Sequence, residues 1–68
     1  MPRFRFDTVE HVQAYAKLID PLVDFDTFWR VAGTAERDTP VGLVGHHERI
    51  AWQVRRAVEI AALERMTK

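Results

Sequence analysis

The chain has 68 residues, 47% of them hydrophobic and 29% charged, with a formal net charge of zero and no cysteine. This is enough for one globular domain over residues 1–68 and too little for two, and it excludes disulfides and thiolate zinc sites as sources of stability. A domain of this size buries only about 60% of the surface that its unfolded chain exposes, so association with another subunit is the common remaining remedy.

The N-terminal segment Met1-Pro2-Arg3-Phe4-Arg5-Phe6 has no apolar run of the roughly 7–15 residues that a signal peptide needs, and no later stretch approaches a membrane span. A cytoplasmic protein without a membrane contact is expected. The two-residue alternation of Arg3, Phe4, Arg5 and Phe6 predicts an extended arm. Either its phenylalanines pack inward, or its arginines reach into a nucleic-acid groove.

Asp7-Thr8-Val9-Glu10 is a helix start, with Asp7 placed to cap the amide of Glu10. Val9, Val12, Tyr15, Ala16 and Ile19 then recur at three- and four-residue steps, so a first helix is predicted over 8–19 with one apolar stripe. Asp20-Pro21 breaks it, and Pro21 suits the first position of a second helix over 21–32. Asp24 or Asp26 is an alternative cap that would shorten this helix. Leu22, Phe25, Phe28, Trp29 and Ala32 should point inward, and Gly33 should end the helix as its C-cap. Residues 33–45 read as a loop punctuated by Gly33, Pro40, Gly42 and Gly45, with Leu43 and Val44 pinning it to the core.

The longest helix is predicted over 46–66, with Glu48 reaching back to cap Gly45. Its apolar face comprises Ile50, Val54, Ala57, Val58 and Ala61. On its other side Trp52, Leu63 and, more loosely, Ile60 stand among Arg56 and Glu59. The fold expected is all-α: a three-helix bundle with an extended N-terminal arm, dimeric through the long last helix. Charge is unevenly spread: residues 7–26 carry Asp7, Glu10, Asp20, Asp24 and Asp26 against Lys17 alone, while the last helix is arginine-rich. The two regions complement each other, within one chain or across a dimer.

Catalysis finds little here. Serine and cysteine are absent, the threonines have capping or loop roles, and Asp24 and Asp26 diverge at two residues apart on a helix. His46, His47 and Glu48 lack the i, i+4 histidine spacing that converges on zinc, and Gly42-Leu43-Val44-Gly45 lacks the preceding strand and following lysine of a phosphate loop. No metal, cofactor or small-molecule substrate is expected, and no motif is specific enough to name a family. The reading that remains is a non-enzymatic protein-interaction module, contacting another protein and a second copy of itself through Trp52, Arg56, Leu63 and Ile60. The alternative is a DNA-binding regulator of helix-turn-helix-like layout using Arg3, Arg5, Arg49, Arg55 and Arg56. Zero net charge, scarce lysine and a long connection before the last helix weigh against it.

Overall fold

The structure is a computed structural model that describes residues 6–67. Those residues form three helices and no strand: α1 (Val9–Ile19), α2 (Phe25–Arg37) and α3 (His46–Met66). The all-helical bundle expected from the sequence is the fold observed. Of the predicted arm, residues 1–5 lie outside the described residues, and Phe6 and Asp7 form a turn instead of an extended strand. Phe6 folds back edge-on to Tyr15, with ring centroids 5.3 Å apart.

α1 begins one residue later than expected, because Thr8 and not Asp7 is its cap. Thr8 holds an extended backbone (φ −132°, ψ 152°), and its hydroxyl accepts from the amide of His11 at 3.2 Å. The start of α2 differs more. Asp20 closes α1 by donating its amide to the Ala16 carbonyl, and its carboxylate then accepts from the Leu22 amide at 3.0 Å. This local turn engages Asp20, so it cannot cap a helix starting at Pro21. The cap falls to Asp24, whose two carboxylate oxygens accept from the Asp26 amide (3.1 Å) and the Thr27 hydroxyl (2.9 Å).

Gly33 does not end α2. It sits within the helix at negative φ, and the chain stays helical to Arg37. Burial explains this, since Ala35 lies beyond the glycine and is fully enclosed. Tertiary packing overrides the weak helix propensity of one glycine. The stop comes from Pro40, which disfavours a helical residue before it. There the Thr39 hydroxyl donates to the Ala35 carbonyl at 3.2 Å and accepts from Gln53 of α3 at 3.0 Å. α3 has the predicted bounds, although Glu48 folds back over Gly45 with only carbon contact and leaves the expected capping bond unmade.

The buried cluster is Ala16 from α1, Phe28, Val31 and Ala35 from α2, and Val54, Ala57, Val58 and Ala61 from α3. Four alanines let the helix axes approach closely, yet Phe28 is the only large side chain fully enclosed. α3, about 31 Å long at 1.5 Å per residue, forms one wall against which α2 packs extensively and α1 less so. α1 and α2 barely touch each other. Several residues expected inside are therefore outside: Leu22 is 75% exposed, Val9 59% and Trp29 41%. Val44, expected to pin the loop, is 91% exposed. The loop is instead turned by a Leu43 amide to Pro40 carbonyl bond and held by Arg49 donating to the Leu43 carbonyl.

Phe28→Ala should cost about 3–5 kcal/mol, enough to unfold most of so small a domain, as urea denaturation would register. Gly33→Ala should do the reverse. No heavy atom lies within 4 Å of a Cβ placed there, so the gain in helix propensity of about 0.5–1 kcal/mol is not offset by a clash and should appear as a raised urea midpoint.

Candidate interaction surfaces

The closed end of the molecule lies where α1 turns into α2 against the last turns of α3. Arg65 reaches the Asp20 carboxylate at 3.3 Å and donates to the Leu22 carbonyl at 2.9 Å, while Arg30 pairs with Glu64 at 2.7 Å. Exposed pairs of this kind contribute about 0–1 kcal/mol each, so their main effect is to fix how the corner sits on α3. From that corner α1 and α2 diverge, and an apolar groove opens between them over the first half of α3. Phe6, Val12, Phe28, Trp29, Ala32 and Ile50 are among its lining residues, and its volume is about 260 Å³. That falls short of the roughly 300–1,000 Å³ that encloses a small-molecule ligand and suits one or two inserted side chains. Glu36 stands in its wall with no polar side-chain partner among the described residues.

The second surface is the side of α3 turned away from the core. Trp52 is two residues from both Ile50 and Val54, about 200° around the helix at 3.6 residues per turn. It is half-buried, and with Arg55, Arg56 and Glu59 it encloses a shallow open notch of about 370 Å³. Leu63, further along the same side, is 51% exposed. Ile60 does not belong to this surface: it is half-buried and packs against the core cluster. Arg56 is anchored by its own chain, 3.5 Å from Asp38 and 3.0 Å from Glu59.

Of the arginines in the nucleic-acid alternative, Arg3 and Arg5 lie outside the described residues. Arg49 donates to the Leu43 carbonyl and Arg56 is doubly ion-paired. Arg55 alone of these has no polar partner among the described residues. The histidines also have local roles. His11 lies 3.8 Å from the Asp7 carboxylate one turn earlier, and His47 stacks at a tilt against Phe6 at 5.9 Å. Among the described residues no three histidine, aspartate or glutamate side chains converge as a metal site would require, and no helix is long and apolar enough to cross a membrane.

The groove beside Trp29 was not visible in the sequence, which placed this residue with Phe28 on the inner face. Adjacent helical residues diverge by about 100°, so with Phe28 central to the core its neighbour falls at the edge. Whether that edge is covered depends on where α1 lies. Comparison with known proteins finds no matching family model, no matching curated protein and no matching solved structure.

Because Arg55 is exposed and makes no polar contact within the chain, Arg55→Ala should leave the urea midpoint within about 0.5 kcal/mol of the parent. Any effect of that substitution on association then reports contact across an interface.

Proposed function

We propose that the chain is a non-enzymatic protein-interaction module, a cytoplasmic adaptor, inhibitor or modulator of another protein that works as a homodimer. The observation that carries this reading is the inverted distribution of large apolar side chains. Phe28 alone is fully enclosed, whereas Leu22, Trp29, Leu63 and Met66 are between 41% and 76% exposed. An isolated domain gains nothing from leaving such area in water, while burial against a partner contributes about 25 cal/mol per Å². The two exposed surfaces have separate uses. The outer side of α3 serves self-association, and the groove beside Trp29, on the other side of that helix, stays open on each subunit for the protein to be bound. Its apolar lining and the Glu36 carboxylate favour an apolar side chain flanked by a basic one.

The nucleic-acid alternative draws less support, because ion pairs within the chain already engage most of the arginines it would use. Light scattering during size exclusion should give the mass of a dimer for the parent and of a monomer for Leu63→Arg, with helical content unchanged by circular dichroism. The parent should also leave a heparin column at low salt. A monomeric parent retained to high salt, with steep salt dependence, would favour the DNA-binding regulator.

A further inference from the structure

The outer side of α3 has a pattern more specific than apolar exposure. Arg49, Trp52, Arg56, Glu59, Leu63 and Met66 follow one another at steps of three, four, three, four and three residues. This is the spacing of a two-helix coiled-coil seam, and the six residues span about 26 Å along the helix. Arg49, Glu59, Leu63 and Met66 are exposed, and Trp52 and Arg56 half-buried. The open notch between Trp52, Arg55, Arg56 and Glu59 has the i, i+3, i+4, i+7 outline of a hole that receives a knob from a facing helix.

The charges decide what faces it. In a parallel, in-register pair, like positions meet, so Arg56 would oppose Arg56 and Glu59 would oppose Glu59, which is destabilising. In an antiparallel pair with its two-fold axis between Ala57 and Val58, Trp52 lies opposite the partner subunit's Leu63, and Arg56 opposite the partner subunit's Glu59. Met66 covers the partner subunit's Arg49 at each end. Resting on the dimeric reading above, we propose that a second copy of this chain occupies the seam, in this antiparallel register. The partner subunit's Glu59 enters the notch between Arg55, which has no other polar partner among the described residues, and Arg56. The two Arg56–Glu59 pairs close into a four-residue charge square at the centre, with a tryptophan and a leucine sealing each side. The contact is isologous, so it ends at two copies.

The test is a charge exchange read by analytical ultracentrifugation over a concentration series. Arg56→Glu alone and Glu59→Arg alone should each weaken the dimer roughly tenfold or more, because like charges then meet at the centre. The double variant Arg56→Glu/Glu59→Arg rebuilds the square with its signs reversed and should recover affinity to within about threefold of the parent. Circular dichroism of each variant checks that the monomer fold survives. Since the chain has no cysteine, register can also be read by mixing a Trp52→Cys chain with a Leu63→Cys chain under oxidation. Mixed disulfides are expected, and Trp52→Cys chains linked to each other would overturn the antiparallel register. A parent dimer whose double variant is not rescued would overturn the charge square while leaving dimerisation intact. A parent that is monomeric at every concentration would remove both.

Discussion

The close approach of α2 and α1 to the small-residue face of α3 is the contact on which the rest of the molecule depends. Ala57 and Ala61 alternate with Val54 and Val58 on that face, and Ala16 and Ala35 meet them from the other two helices. Small side chains allow near backbone contact, which favours dispersion and excludes water. They also enclose little volume, so the arrangement has one large anchor, Phe28, and no second one to absorb its loss. Because both shorter helices dock on α3 and hardly on each other, the bundle is closed at the Asp20 corner and open at the other end.

The surfaces follow from this geometry. A tightly closed three-helix bundle would hide Trp29 between α1 and α2, whereas divergence from the corner leaves it in the wall of a groove. On the opposite side, α3 is longer than either helix that covers it, and its outer residues meet no element of the same chain. One helix thus serves as the internal wall and as an external seam. The periodicity of its sequence allows both, since the inner and outer sets are offset by about half a turn.

The charged residues show a similar division. Arg30, Arg56 and Arg65 bind carboxylates on neighbouring helices or turns, so part of the acidic first half and basic last helix complement each other inside one subunit. That complementarity orients the corner and the α2–α3 contact. It also removes most of the cationic surface that a nucleic-acid backbone would need, leaving Arg55 beside the notch.

The extent of α3, its inner apolar face and the existence of three helices were written in the sequence alone, because caps, glycines and three- to four-residue periodicity act between near neighbours. The position of α2 was not. Asp20 and Asp24 are both competent caps, and the choice between them was made when Asp20 turned to the Leu22 amide and Ala35 gained burial by carrying the helix through Gly33. Likewise, the sequence named Trp52, Arg56 and Leu63 as one outer surface, but it could not separate Ile60, which packs against the core, or detect the groove beside Trp29. These were decided by the angle at which α1 and α2 leave their corner. That angle is set by packing between residues distant in the chain, and no local pattern encodes it.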